Sequence, residues 1–321
     1  MTTNTDHTQE LTDKIDESIN ALCAETDAAK QNETYRAWLN TLSRFYSYSF
    51  NNWLLIYTQR PDATRVAGFQ TWKSLGRFVK KGERGIRIFA PIIRKVEEEK
   101  NGATEQVSRP VGFRSIAVFA LEQTDGEPLP EIDSNATEGG EELLPRLEAA
   151  TASLGIQLVY KAIPGAAEGL SKGGLIEIEE TLSTAARCGV IIHELAHELL
   201  HKEERKEKTR QQRELEAESV SFAVLARYGI HSESRFYLAS YEVTAEMLTA
   251  SLQTISQTAK RIISVIDGDG ERTEYEDANV TPSPDSRIPD GFRVDGCLAR
   301  QESAPRSNLE AELFPKSFAA L

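Results

Sequence analysis

Apolar residues in the first 60 positions recur at intervals of three and four. Leu39, Leu42 and Phe45 illustrate the spacing, which places them on one face of an α-helix. Residues from about 10 to 57 are therefore predicted to be helical. The segment QRPDA then ends the pattern, because proline cannot continue a helix and disfavours helix in the residue before it.

The pattern shortens between residues 65 and 93, where TRVAGF and FVKKGERGIRIFAPI predict strands and turns around a short helix, QTWKSLG. Ile86, Arg87 and Ile88 alternate apolar and basic side chains, as a half-buried strand does. The polar segment KVEEEKNGATEQVSR predicts a surface hairpin loop. The next segment, GFRSIAVFALEQT, predicts another strand.

A second group of elements follows the segment DGEPLPEIDSNATEGGEE, whose proline, glycine and acidic residues indicate a linker. IQLVYK and GGLIEIEE predict strands, and helices are expected at about 141–154, 181–202, 209–228 and 232–267. The tail lacks periodicity and is expected to be disordered. The fold class predicted is α+β, with a helical/β domain at 1–130, a linker at 131–140, a second domain at 141–267 and a disordered, acidic tail at 268–321.

The segment VIIHELAHELLH contains three of the five histidines of the chain and matches the H-E-x-x-H pattern. Residues i and i+4 of a helix lie on one face, so His193 and His197 can direct two imidazole nitrogens at one ion. Glu194 lies beside them as a candidate general base that takes a proton from water. The pattern predicts a zinc site; the alternative is a helix whose histidines are only packed or solvated.

A third ligand is expected from the segment RELEAESVSFAV. Glu214 and Glu218 are four residues apart and share a helix face, whereas Glu216 points elsewhere and is expected to be solvated. One carboxylate of the pair can bind the metal while the other accepts the free N–H of a histidine. By analogy with metallopeptidases that have E-x-x-x-D here, Glu214 is the predicted ligand and Glu218 the supporting partner, although the order can be reversed.

Charge is distributed unevenly along the chain. The net charge is −13, yet the window from Thr71 to Lys95 carries +7. A local positive surface on an acidic protein is typical of phosphate binding. The basic side chains concerned are Lys73, Arg77, Lys80, Lys81, Arg84, Arg87, Arg94 and Lys95.

Composition narrows the cellular setting. No apolar run reaches the roughly 18 residues that a bilayer span requires, and the N-terminus has no secretory pattern. Three scattered cysteines have neither metal-like nor disulfide-like spacing, which favours reduced thiols. A cytoplasmic protein without a membrane partner is expected.

The sequence resembles two known families. The segment YSYSFNNWLLIYTQRPDATRVAGFQTWKSLGRFVKKGERGIRIFAPI, with VFALEQTDGEPLP after it, resembles the single-stranded-DNA-binding domain of ArdC antirestriction proteins. GGLIEIEE, VIIHELAHELLH and RELEAESVSFAV resemble an edge strand, a metal-binding helix and a glutamate helix in zincin-type, gluzincin-like metallopeptidase domains of the ImmA/IrrE kind. The domain order is that of ArdC, whereas the second half is closer to the ImmA/IrrE type.

The resemblance implies single-stranded DNA as a partner. Such binding uses positive side chains for phosphates and aromatic faces for bases, so Trp72 is the predicted stacking residue. Phosphate contacts are expected within KKGERG, although this segment is equally a plain hairpin turn. The predicted DNA-binding residues are Trp72, Lys73, Arg77, Lys80, Lys81, Arg84 and Arg87.

The resulting hypothesis is a single-stranded-DNA-binding protein with a Zn²⁺-dependent peptidase domain, acting on a protein or peptide in a mobile-element or DNA-stress context. In the alternative, the zinc site is structural or vestigial and DNA protection is the whole function. In a third possibility, DNA activates cleavage of a repressor.

Overall fold

The computed structural model of the chain describes residues 4–25, 27–100, 103–128, 140–165, 167–200, 208–230 and 244–268. The predicted tail lies outside these ranges, apart from Gly268, and so does the predicted linker, apart from Gly140. None of the described helices combines the length and the apolar composition needed to cross a membrane.

The N-terminal part begins with three helices, α1 (Asn4–Ala24), α2 (Ala28–Arg44) and α3 (Phe50–Gln59), as the apolar spacing predicts. A short helix, α4 (Phe69–Ser74), follows the two-residue strand β1 (Val66–Ala67). The remaining strands are β2 (Arg77–Val79), β3 (Ile86–Lys100), β4 (Ala103–Ala120) and β5 (Thr124–Gly126). They form an antiparallel sheet of order β1-β4-β3 and a separate pair, β2-β5.

The predicted hairpin loop at KVEEEKNGATEQVSR is wrong. β3 and β4 pair through it, from Arg94 opposite Arg109 to Lys100 opposite Ala103. The strands thus form a long two-stranded arm. Because such an arm can be solvated on both faces, its sequence does not need the apolar alternation by which strands are recognised.

The C-terminal part contains α5 (Leu143–Ser153), β6 (Gln157–Lys161), β7 (Gly169–Ser171) and β8 (Leu175–Glu179), then α6 (Thr184–Leu200), α7 (Arg210–Arg227) and α8 (Ala245–Asp267). Its sheet has the order β6-β8-β7, with β6 parallel and β7 antiparallel to β8. GGLIEIEE, predicted to be an edge strand, is therefore central, and the edges are β6 and β7. The α+β class is confirmed.

The helices of both parts share one hydrophobic core. Leu39 of α2, Trp53 of α3, Val220 of α7 and Ile255 of α8 are all fully buried within it. α7 packs against α6, α8 and α2. The helix that carries the predicted glutamates is thus enclosed by elements of both halves of the chain.

Candidate metal centre and nucleic-acid interface

Helix α6 brings two imidazoles together. Its apolar positions face the core, and Ile192, Leu195 and Ala196 are fully buried. This leaves His193 and His197, one turn apart, half-buried at the edge of the packed face. Their Nε2 atoms lie 3.1 Å apart.

Helix α7 supplies the carboxylates. Its N-terminus is fixed by Thr209, whose side chain accepts from the Gln212 N–H while the Gln212 side chain accepts from the Thr209 N–H, a capping box. Glu214 Oε2 lies 3.6 Å from His193 Nε2 and 3.7 Å from His197 Nε2. Glu218 Oε1 lies 3.7 Å from the other ring nitrogen of His193, Nδ1.

The donor set fits a divalent ion. One potential ligand atom from each of His193, His197 and Glu214 lies within 4.8 Å of the other two. A tetrahedral zinc ion with bonds of about 2.0–2.2 Å would hold its ligand atoms about 3.3–3.6 Å apart. The observed separations of 3.1, 3.6 and 3.7 Å lie within about 0.2 Å of that range.

The same contacts explain the pKa shifts of the cluster. Burial alone would lower the pKa of His193, but Glu214, Glu218 and Glu194 outweigh it and raise that pKa above its usual value. The imidazoles of His193 and His197, 3.6 and 3.7 Å from Glu214 Oε2, hold the pKa of Glu214 well below its usual range. At neutral pH, Glu214 is therefore ionised, as a metal ligand must be.

Glu194 is buried between α6 and the edge strand β7. Burial raises its pKa, and the two histidines and a hydrogen bond to the backbone of Ser171 oppose that effect. Gly169 leaves room for it, since a Cβ placed on Gly169 would lie 2.8 Å from Glu194 Cγ and 2.5 Å from Val190 Cγ1. A real side chain at residue 169 would require Glu194 to move.

Glu198, one turn beyond Glu194, fixes the turn between β7 and β8. Its carboxylate accepts hydrogen bonds from Ser171 Oγ at 2.7 Å and from the N–H groups of Gly173 and Gly174 at 2.6 and 2.7 Å. Both glycines have positive φ, 74° and 91°, which glycine adopts without steric cost. Neither Glu198 nor Gly169 was predicted from the sequence; for Glu198, its i, i+4 spacing from Glu194 was the available signal.

Glu216 corrects an expectation. It was predicted to be solvated, but its side chain is 1% exposed and accepts hydrogen bonds from Lys208 Nζ at 3.1 Å and Ser251 Oγ at 2.9 Å. Because the core surrounds α7, the face opposite the histidines is buried as well. A buried carboxylate there is tolerated because it is paired and hydrogen-bonded.

The predicted DNA-binding side chains divide into two groups. Lys73, Lys81, Arg84 and Arg87 are exposed. The Lys80 ammonium group already has partners within the protein: it donates to the Glu122 carbonyl at 3.1 Å and lies 3.6 Å from Asp125 Oδ1.

Two of the predicted DNA-binding residues serve the fold instead. Trp72 is 2% exposed and its indole N–H donates to the Phe119 carbonyl at 2.9 Å, so it cannot stack on a base and the prediction is wrong. Arg77 donates to Thr124 Oγ1 and to the carbonyls of Thr124, Gly126 and Glu127. Its guanidinium joins β2 to β5, which leaves little of it for phosphate.

Among the residues that the structure describes, three aromatic side chains are exposed: Phe69 at 51%, Phe78 at 61% and Phe113 at 44%. Phe78 lies in the basic window, and Phe69 lies two residues before its start. Phe113 lies outside it and was missed, although the alternation of the β4 sequence placed it on the face opposite to the buried Val118 and Ala120.

Two models of known protein families match the chain, one in its N-terminal part and one in its C-terminal part. Residues 5–119 match the model of the N-terminal domain of anti-restriction factor ArdC. Residues 151–260 match the IrrE N-terminal-like domain, a peptidase family.

The individual proteins to which the chain is similar share 25% sequence identity with it or less. The uncharacterized protein pXO2-81 of Bacillus anthracis is 25% identical over 283 residues, which cover 71% of this chain and 47% of that protein, so the chain spans about half of its length. The metal-free crystal structure of antirestriction protein ArdC from plasmid R388 is 17% identical, with a TM-score of 0.44 and coverage of 70% of this chain and 86% of that one. The Mn(II)-bound structure is 20% identical, with a TM-score of 0.46 and coverage of 80% and 97%. The chain therefore carries an ArdC-type N-terminal domain followed by an IrrE-like peptidase-family domain, as the resemblance predicted.

Proposed function

We propose that the C-terminal part is a metal-dependent peptidase, with zinc as its metal. His193, His197 and Glu214 would hold the ion and Glu194 would be the general base. One observation carries this proposal: three ligand atoms converge within 4.8 Å beside a buried carboxylate. The match to an IrrE-like peptidase family supports polypeptide as the substrate class.

The side chains have separate tasks in this proposal. A bound zinc ion supplies Lewis acidity, which acidifies water and polarises a carbonyl group. Glu194, whose pKa is raised by burial, accepts the proton from the attacking water and passes it to the leaving amine. Glu218 accepts the Nδ1–H of His193 and so keeps Nε2 directed at the ion. In the described part of the chain β7 pairs only with β8, so its outer edge can pair with an extended peptide.

Metal titration of the full chain by calorimetry tests the ligand set. We expect about one zinc ion per chain, with binding lost in His193→Ala and His197→Ala. Glu214→Ala should weaken binding more than Glu218→Ala, whose expected cost is about 10–100-fold. A larger loss in Glu218→Ala would reverse the assignment, and a wild-type chain that binds no zinc would overturn the site.

Peptide cleavage tests the catalytic assignment. The zinc-loaded chain is incubated with a fluorogenic peptide library, with and without single-stranded DNA. Glu194→Ala should retain the metal but lose hydrolysis, because only the proton acceptor is removed. A wild-type chain that holds zinc and cleaves nothing under either condition would favour the alternative, a structural or vestigial site.

The N-terminal part is proposed to bind single-stranded DNA in the cytoplasm, in a mobile-element or DNA-stress context. The supporting observation is the group of exposed cations in the +7 window, Lys73, Lys81, Arg84 and Arg87, together with the ArdC-type match. Affinity should fall with salt at a slope of about −0.7 per phosphate contacted. Lys81→Glu combined with Arg84→Glu should weaken binding to all sequences alike. Absence of binding by wild type at low salt would contradict this proposal.

A further inference from the structure

The strands β3 and β4 present one face to the core and the other outward. Ile86, Ile88 and Ala90 of β3 are buried, as are Val118 and Ala120 of β4. Because side chains alternate along a strand, Phe113, Ser115, Ala117 and Phe119 of β4 lie on the outward face. On β3, Arg87 is exposed opposite Ala117, whereas Phe89, opposite Ser115, is partly buried and packs against the core.

This outward face carries phenylalanine where polar residues are expected. Phe113 is 44% exposed on it. At the other end, Phe69 of α4, 51% exposed, meets Phe119 edge to face with ring centroids 6.5 Å apart. Full burial of such a side chain stabilises a fold by about 1.5–3 kcal/mol. An exposed phenylalanine does not provide this stabilisation. Clustered exposed aromatic side chains mark interaction sites more often than single ones do.

The surface between the two aromatic ends carries small side chains and a positive charge. On the outward face of β4, only Ala117 and Ser115 lie between Phe119 and Phe113, over about 20 Å of strand. Exposed Arg87 lies opposite Ala117. Gly85 adds no side chain to this surface and lies close to it, since a Cβ there would lie 2.8 Å from Ala117 Cβ and 3.3 Å from the Phe119 ring. The next residue back along the chain, Arg84, is exposed.

We propose that Phe69, Phe119 and Phe113 form a stacking surface for the unpaired bases of single-stranded DNA, with Arg84 and Arg87 contacting phosphates. This inference rests on the proposed DNA binding and names its aromatic half. Charge complementarity selects a polyanion, because these cations belong to a +7 window in a chain of −13. The exposed rings select unpaired bases, since only those offer a free face.

The test separates base stacking from phosphate contact. Full-length protein is titrated, by fluorescence anisotropy, with a labelled thymidine oligonucleotide and with an abasic oligonucleotide of equal length. Wild type should prefer the thymidine strand. Phe69→Ala and Phe113→Ala should each lose about 5- to 150-fold in affinity for it, the equivalent of about 1–3 kcal/mol per base. Neither should change affinity for the abasic strand or the salt slope.

A matched control and a spectroscopic readout complete the design. Leu170→Ala removes an apolar side chain of 36% exposure from the C-terminal part and should leave both affinities unchanged. Trp38, Trp53 and Trp72 are buried, so Phe113→Trp adds an exposed indole whose emission the thymidine strand should quench. If wild type binds both strands equally, or if the alanine variants bind the thymidine strand like wild type, the stacking surface is wrong while DNA binding stands. Absence of binding to both strands would overturn the proposed DNA binding itself.

Discussion

Glu194 and Glu198 lie one turn apart on α6 and both contact β7: Glu194 lies against Gly169, and Glu198 accepts a hydrogen bond from the Ser171 hydroxyl. The candidate base is therefore positioned by the sheet as much as by its own helix. Gly169 completes the contact, because the absence of a side chain lets β7 approach α6 directly.

Gly169→Ala should disturb the site without removing a ligand. The new Cβ would meet Val190 and Glu194 at 2.5 and 2.8 Å, and such overpacking costs about 1–3 kcal/mol. We expect a lower free energy of unfolding and a reduced rate of hydrolysis, with zinc affinity close to that of wild type. Urea unfolding and zinc calorimetry measure these effects.

Gly189→Ala on α6, the helix that carries Glu194, is the control for this prediction. Its Cβ would meet only Leu225 Cδ1, at an ordinary 3.6 Å. Alanine is also favoured over glycine inside a helix by about 1 kcal/mol, so this variant should be as stable as wild type or more so. Equal behaviour of the two variants would show that β7 does not hold Glu194 in place.

Spacing along a single helix made part of the site predictable. His193 and His197 share a face at i, i+4, and so do Glu214 and Glu218, whatever the rest of the fold does. The contacts of Glu194 with Gly169 and Ser171 join residues more than twenty positions apart, for which the sequence has no local signal. The burial of Trp72 likewise depends on the position of Phe119, a long-range contact.

At the scale of elements, α3 protects the open edge of the sheet. The Asn52 side-chain amide donates to the Phe89 carbonyl and accepts from the Phe89 N–H, both at 2.9 Å. Two turns later, Gln59 makes the same pair of bonds with Arg87. Alternate residues on the free edge of β3 thus have side-chain amides where another strand would pair, which blocks edge-to-edge association.

Asn52→Ala should therefore be costly, because Asn52 is buried and both backbone groups of Phe89 would lose their partner. Each unsatisfied buried group costs about 1–3 kcal/mol, so we expect a loss of about 2–4 kcal/mol in the free energy of unfolding. Gln59→Ala should cost less than about 1 kcal/mol, since water can replace the amide beside exposed Arg87. Urea denaturation distinguishes the two, and a larger loss in Gln59→Ala would contradict this account.

Element prediction succeeded where one face of an element is buried. The helices α5, α6 and α7 begin and end within a few residues of the predicted bounds. It failed in the distal part of the β3–β4 arm, where polar sequence concealed continuous pairing. It also misplaced the edge of the second sheet, because strand order depends on contacts that periodicity does not encode.

At the scale of the whole molecule, the two halves are joined by buried polar contacts as well as by apolar packing. Tyr35 of α2 and Ser219 of α7 are hydrogen-bonded through their hydroxyls at 2.8 Å. The Trp53 indole N–H donates to Ser256 Oγ of α8 at 3.3 Å. Ser219 follows Glu218 directly, so α2 packs on the inner surface of the helix that carries the candidate metal ligand Glu214.

This shared core predicts that the halves unfold together and that metal stabilises both. All three tryptophans lie in the N-terminal part, whereas the candidate metal ligands lie on α6 and α7. Zinc at about 100 times its Kd should add about 2.7 kcal/mol, equivalent to a rise of about 5–10 °C in Tm for a unit of this size. Tryptophan emission followed during heating, with excess zinc or with a chelator, should show the full shift in a single transition. His193→Ala should show none. A tryptophan transition that ignores zinc in wild type, while zinc calorimetry still shows binding, would mean that the halves unfold independently despite their common core.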